Sequence, residues 1–207
     1  MNNKTKKGFT LVELLMVLAI VGLLASILIP TAGSIRESAL KTICKSQLSQ
    51  YINAIVQFKS QYGYYPFARG SKDFVIDLSD PEVSKEFIET MSGRDAVNGK
   101  PISSGGNRKR IAFHDFSENE FFILEDDLYS LTQLADRFNN NKIFIMIDGD
   151  GDGFIYPRPS LYAPEKPRAK IRGRITAWVE SDDLDRFPGY ALWAVSYTHL
   201  RAHETGY

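Results

Sequence analysis

An apolar stretch near the amino terminus, preceded directly by an acid, constrains the chain more than any other feature. Residues Leu14 to Pro30 carry no charge, and Glu13 stands immediately before them. A helix from Phe9 to Pro30 would be about 33 Å long at ~1.5 Å per residue, close to the hydrocarbon thickness of a bilayer. The stretch therefore predicts a membrane-spanning helix. Glu13 needs a partner, because an unpaired acid within hydrocarbon is costly.

Two common amino-terminal segments fit this stretch poorly. A secretory signal has a shorter apolar region and a small-residue cleavage site, whereas this stretch is long and continues as Pro30-Thr31-Ala32-Gly33. A plain signal anchor accommodates the length but has no use for Glu13. Both explanations leave the acid without a function.

The segment from Lys6 to Pro30, KKGFTLVELLMVLAIVGLLASILIP, resembles the class III signal of type IV prepilins and type II secretion pseudopilins. The resemblance implies that a prepilin peptidase cuts after Gly8 on the cytoplasmic face and that the new amino terminus at Phe9 is methylated. It also implies an assembly role for Glu13, whose carboxylate would meet the terminal amine of a neighbouring subunit. An acid that is costly alone in lipid and stabilised when paired favours assembly in register.

Positive charges near the span do not set its orientation by themselves. Three lysines precede it and three basic residues follow it: Lys4, Lys6, Lys7, Arg36, Lys41 and Lys45. The resemblance alone places the leader in the cytoplasm and the head outside the bacterial inner membrane, as a single-pass protein that assembles into a filament.

The apolar pattern continues with helical spacing beyond the expected membrane segment. From Ile35 to Phe58, apolar residues recur every three to five positions, which indicates a helix to about Tyr62 with one apolar stripe. Gly63 would end this helix, and Pro66 would prevent its resumption. The stripe is too short and irregular for a free coiled coil, so we expect it to be the spine on which a sheet packs.

The remaining chain predicts an α+β head. Candidate strands lie at 142–148, at 169–180 and from Tyr190 onward, because these segments are rich in β-branched and aromatic residues. Weaker patches at 80–93 and 125–138 favour helix, and 98–110 reads as a loop. Together with the resemblance, this order predicts a pilin-like fold in which the long amino-terminal helix packs on a carboxy-terminal antiparallel sheet.

The expected organisation has five parts. They are a leader at 1–8, a transmembrane helix at 9–30, its amphipathic continuation at 31–62, a globular head at 63–194 and a non-native tail at 195–207. Residues Val195 to Thr205, VSYTHLRAHET, match the translation of a widely used transposase sequencing adapter. His199 and His203, which are spaced like a zinc-binding pair, are therefore not interpreted as a metal site.

The charge balance and the single cysteine limit the expected binding partners and the expected class of pilin. The 25 basic and 25 acidic residues cancel, and no long run of either sign occurs, so we expect no nucleic-acid partner. The one cysteine, Cys44, cannot form an intramolecular disulfide and is expected to be buried on the helix. Many major pilins carry a cysteine pair, so this favours a pseudopilin.

The segment DGDGDGFI, Asp148 to Ile155, is the strongest site signal in the head. It matches the first eight positions of a calcium loop, in which Asp148, Asp150, Asp152 and the backbone carbonyl of Phe154 are the expected ligands. Pro159 replaces the glutamate at position twelve, and the preceding segment reads as a strand, so a full EF-hand is rejected.

The alternative for this segment is a solvated Asp-Gly turn between strands. Type II major pseudopilins bind calcium near the carboxy-terminal sheet, and the resemblance therefore favours calcium as a cofactor. Any missing ligands are expected from three later aspartates: Asp182, Asp183 or Asp185.

These features predict a structural subunit and not an enzyme. The expected function is a type II secretion pseudopilin that supports protein export, with the prepilin peptidase, other pseudopilins, the inner-membrane assembly platform and membrane lipid as partners. A minor type IV pilin or DNA-uptake pseudopilin is the alternative. A membrane-anchored enzyme or sugar-binding module is a less favoured alternative. His114 is the single histidine outside the tail, which leaves few candidates for a catalytic base. Asp126 and Asp127 could serve a glycosidase, but neighbouring acids of this kind usually form a solvated face.

Overall fold

The structure is a computed structural model that describes residues 10–68, 70, 72–157, 170–181 and 189–193, without the side chains of residue 25 and residues 27–34. The chain divides into two compact units, Met1–Leu40 and Lys41–Tyr207. Several residues discussed above lie outside the described part: Gly8, Phe9, Pro159, Asp182, Asp183, Asp185, His199 and His203, with the whole suspected tail.

Helix α1 runs from Leu11 to Tyr62 and confirms the predicted end. Gly63 follows with φ 82°, and its N–H donates to the carbonyl of Lys59 at 2.8 Å. Glycine tolerates this left-handed conformation at a helix end.

A four-stranded antiparallel sheet forms the centre of the second unit, in the order β1-β4-β7-β8. Its strands are β1 (Phe74–Asp77), β4 (Ile143–Ile147), β7 (Ile175–Val179) and β8 (Tyr190–Leu192). The other elements are α2 (Pro81–Ser92), a 3-10 turn (Glu118–Glu120), the hairpin β2 (Phe121–Ile123) and β3 (Tyr129–Leu134), and the pair β5 (Phe154–Ile155) and β6 (Ile171–Arg172).

The core lies between the carboxy-terminal part of α1 and one face of this sheet. One buried cluster contains Leu48, Ile52 and Phe58 of α1 together with Ile145 and Ile147 of β4. Successive residues of a strand point to opposite faces of the sheet. The residues on the face away from the helix include aromatic side chains. There Phe144 stacks on Trp178 with 5.6 Å between ring centroids. The predicted pilin-like arrangement of helix and sheet is therefore confirmed.

Several local predictions also hold. Cys44 is buried, and burial raises the pKa of its thiol to about 11. The predicted helix at 80–93 is α2, whose first turn is capped by the Asp80 carboxylate accepting from the Glu82 N–H at 2.9 Å. The predicted strands at 142–148 and from Tyr190 contain β4 and β8, while 169–180 divides into β6 and β7 around Gly173.

The prediction of a helix at 125–138 is wrong, because this segment forms the turn and the second strand of the β2–β3 hairpin. Asp127 has φ 56°, and the Leu124 N–H donates to the Leu128 carbonyl at 2.8 Å, which closes the turn. Tertiary contacts fix the far end, where the Leu134 N–H donates to Ser84 Oγ at 2.9 Å. Strands β1 and β2 were not predicted from the sequence.

Candidate assembly segment and candidate metal loop

Glu13 already has a partner within its own chain. Its Oε2 accepts hydrogen bonds from the N–H and the Oγ1 of Thr10, both at 2.8 Å, and its own N–H donates to Thr10 Oγ1 at 3.3 Å. Thr10 directly precedes the helix, so the two residues form a reciprocal capping box. The sequence signal for this capping box is the spacing T-x-x-E from Thr10 to Glu13.

The first turns of α1 expose apolar side chains on every side. The large exposed hydrophobic residues are Leu11, Val12, Leu14, Leu15, Met16, Val17, Leu18, Ile20, Val21, Leu23 and Leu24. A helix that is apolar all round is normally covered by protein or lipid. Among the residues that the structure describes, no helix is both long enough and apolar enough to cross a membrane.

The aspartate loop follows β4, where Asp148 is buried and its two carboxylate oxygens each accept a loop amide. Oδ1 accepts from the Gly151 N–H at 2.7 Å, and Oδ2 accepts from the Gly153 N–H at 3.0 Å. Asp150 and Asp152 accept in the same way from the amides two residues later, at 3.0 Å and 2.7 Å. These bonds tie each aspartate to the loop backbone, and they are compatible with both the calcium loop and the Asp-Gly turn.

A further aspartate completes an acidic cluster. Oxygen atoms of Asp73, Asp148 and Asp150 all lie within 4.8 Å of one another. Asp73 directly precedes β1, and the pairing of Phe74 with Ile147 carries it to the end of β4. The group does not include the Asp152 carboxylate, which accepts from the Phe154 N–H. Sequence reasoning missed Asp73 because it did not predict β1.

Asp73 occupies an electrostatically unfavourable position beside the other carboxylates. Burial raises the pKa of Asp73, the Gly149 N–H at 3.1 Å opposes this rise, and the charges of Asp150, Asp148 and Asp152 add to it. Like charges at short range thus disfavour the ionised form of Asp73. A cation held among the three carboxylates would remove this repulsion.

Calcium fits the donor set. It prefers carboxylate oxygens at about 2.3–2.6 Å, so oxygens separated by up to about twice that distance can share one ion. A carboxylate oxygen that accepts one amide retains a second lone pair for a metal. Asp73, Asp148 and Asp150 would hold the ion, and water or further oxygens would complete the shell.

Close backbone packing fixes the position of the cluster. A Cβ placed on Gly149 would collide with the carbonyl oxygen of Lys72, the residue before Asp73. The absence of a side chain therefore lets the loop approach the start of β1. This contact explains the need for glycine between the first two aspartates of the loop.

His114 occupies a packed position. Its Nε2 lies 2.9 Å from Oε2 of Glu120, and its ring packs edge-on against Tyr51 and Phe116. Glu120 also accepts from the N–H and the hydroxyl of Ser117, both at 3.0 Å. The pair thus satisfies polar groups at the edge of the core.

Comparison with known proteins bears on the amino-terminal segment. The family model for the prokaryotic N-terminal methylation motif matches residues 3–29. Over 59 residues, the chain is 41% identical to the type IV wide pilus major component PilA4 of Thermus thermophilus, a match that covers 28% of this chain and 42% of that protein. The chain thus spans less than half the length of the curated relative. No solved structure matches the chain significantly.

The matched motif covers Glu13 and most of the apolar stretch, and the second unit has the helix-on-sheet fold predicted for pilins. The chain is therefore type IV pilin-like and carries the prokaryotic N-terminal methylation motif.

Proposed function

We propose that the chain is a structural subunit of a type IV pilin-like filament. A prepilin peptidase removes the leader after Gly8, the new amino terminus at Phe9 is methylated, and the amino-terminal helices of many subunits pack together. The methylation motif at residues 3–29 carries this proposal. The exposed apolar side chains of α1 support it, because a bundle of such helices would cover them.

Before assembly, the apolar segment anchors the subunit in the inner membrane, with the leader in the cytoplasm and the head outside. Its apolar surface suits lipid as well as neighbouring helices. The Thr10 capping box satisfies Glu13 while the subunit is alone. In the filament, the same carboxylate pairs with the terminal amine of a neighbour.

Within this class, we propose a type II secretion pseudopilin that works with the inner-membrane assembly platform to support protein export. The single cysteine, which is buried, supports this choice, since the head has no disulfide of the kind many major pilins use. Calcium held at the aspartate loop, where Asp73 joins Asp148 and Asp150, would stabilise the head. The alternative is a type IV pilus subunit, which the similarity to PilA4 favours.

Replacements at Gly8 and Glu13 test the filament role in the full chain, expressed with a prepilin peptidase and an assembly platform. Gly8→Ala should impair leader removal and leave unprocessed precursor, because the chain must enter the peptidase extended at the cut and glycine has no side chain to hinder it. Glu13→Ala should be processed normally, as judged by mass spectrometry of the amino terminus, but should fail to enter sedimentable filaments.

Glu13→Gln separates the two roles of the acid. Glutamine retains the capping hydrogen bonds to Thr10 but has no charge for a neighbour's amine. We therefore expect Glu13→Gln to behave like Glu13→Ala in assembly. Normal filaments from Glu13→Gln would limit the side chain to helix capping and refute the pairing.

A further inference from the structure

Two exposed surfaces of the head carry opposite charge. The first, here called the acidic tip, is the turn of the β2–β3 hairpin at residues 124–128, with the exposed acids Glu125, Asp126 and Asp127. The second, here called the basic loop, contains the exposed side chains of Arg108, Lys109 and Arg110. Among the described residues, no ion pair engages either set of side chains.

The acidic tip is also apolar. Leu128 is 63% exposed and Leu131 on the adjoining strand is 54% exposed, with Leu124 and Tyr129 exposed beside them. Apolar side chains clustered on an exposed hairpin and bordered by charge are typical of an interaction surface.

The base of the hairpin and the basic loop each form a hydrogen bond with α1, at different points along the helix. The hairpin is anchored where Gln47 Nε2 donates to the carbonyl of Ala135 at 2.8 Å. The basic loop is anchored where the N–H of Lys109 donates to the hydroxyl of Tyr62 at 3.0 Å. Gln47 and Tyr62 are about 22 Å apart along the helix at ~1.5 Å per residue.

No ion pair joins the acidic tip to the basic loop among the described residues. The charges of each surface are therefore available to a second copy of the same chain, which presents the complement of each.

We propose that the acidic tip of one subunit docks on the basic loop of the next in the filament. The contact joins two different patches, so it is heterologous and can repeat without closing, which generates an open helical array. The exposed leucines contribute buried apolar area, and the charges select the register and oppose contact between two acidic tips. This inference rests on the proposed filament function.

Charge reversal in the otherwise unchanged full chain tests the contact. The triple variant Glu125→Lys/Asp126→Lys/Asp127→Lys should lower the yield of sedimentable filaments by about tenfold or more, because like charges would face each other. Combining it with Arg108→Glu/Lys109→Glu/Arg110→Glu should restore assembly, since both sides of the contact are reversed. Unreduced assembly of the first variant would overturn the docking.

Disulfide trapping identifies the partner surfaces directly. In a Cys44→Ala background, Asp126→Cys together with Lys109→Cys should give a ladder of covalent multimers when the filaments are oxidised. Each single cysteine should give none. Asp115→Cys with Lys109→Cys is the matched control, because Asp115 is also an exposed acid and lies outside the tip.

The outcomes separate this inference from the function on which it rests. A ladder that needs both cysteines supports the docking. Dimers from Asp126→Cys alone, or filaments that form normally with no ladder from the pair, overturn it while the filament role stands. Failure of the unmodified chain to assemble at all would overturn the filament role and the docking together.

Discussion

Calcium should raise the melting temperature of the chain through Asp73, Asp148 and Asp150. Three carboxylates with no glutamate at position twelve suggest the weak, extracellular range of affinity, on the order of 10⁻⁴ M. At 1 mM, the free ion is then about ten times its dissociation constant, which stabilises the folded form by about 1.4 kcal/mol. For a chain of this size, that corresponds to a rise of roughly 3–6 °C.

The assay is thermal unfolding of the full chain in detergent, followed by tryptophan fluorescence, in calcium or in a chelator. Asp73→Asn should abolish the rise, although its remaining amide oxygen can still accept from the Gly149 N–H. Asp152→Asn is the matched control, because its carboxylate lies outside the three-carboxylate group. The same rise in Asp73→Asn, or its loss in Asp152→Asn alone, would show that the ligands are a different set.

No change with millimolar calcium, together with no heat in titration calorimetry, would refute the metal site. The loop would then be only a turn held by its own amides. Magnesium provides a second comparison, because it requires shorter distances and keeps several of its waters. We expect it to stabilise the chain less than calcium does.

Three further predictions concern stability. Gly149→Ala should lower the free energy of unfolding by about 1–3 kcal/mol, since the added methyl group collides with the Lys72 carbonyl; Gly173→Ala, where the site is open, should have little effect in the same denaturant titration. Burial disfavours ionised Glu120, but hydrogen bonds from His114 and Ser117 outweigh it and hold the pKa of this carboxyl below its ordinary value of 4.5. The stabilising contribution of ionised Glu120 is thus present above pH 4.5 and is lost as pH falls through the pKa of this carboxyl in the folded state. In melting curves between pH 7 and 3, the amount by which Glu120→Gln lowers the melting temperature should shrink at the acid end. Deleting residues 196–207 should leave the melting temperature unchanged if the tail derives from an adapter, because such a tail would never have been selected to fit the core; a marked fall would assign the tail to the native fold.

The long helix and the central strands were predictable because their signals are local. The end of α1 depends on Gly63, which directly follows the last helical residue. Strand β4 is a run of β-branched and aromatic residues that is buried along most of its length. Local sequence determines both features, so no knowledge of distant contacts was needed.

The hairpin and the place of Asp73 in the acidic cluster were not predictable in this way. Leu128, Leu131 and Leu134 have helical spacing, but Leu134 is buried while the other two are exposed on the hairpin. The position of Leu134 is set by a hydrogen bond to Ser84, which lies 50 residues earlier in the chain. Asp73 likewise reaches the loop only through strand pairing, which the sequence pattern around it does not reveal.

The position of Glu13 explains why an acid can stand at the edge of so apolar a segment. In the single chain, two hydrogen bonds from Thr10 satisfy one carboxylate oxygen, Oε2. A carboxylate has lone pairs on both oxygens, so the capping box leaves Oε1 able to accept from a cation. Assembly therefore need not break the local contact before the new one forms. In the proposed filament, capping by Thr10 would stabilise the acid first and pairing with a neighbour would stabilise it afterwards, which would remove the cost that an isolated charge in this segment would carry.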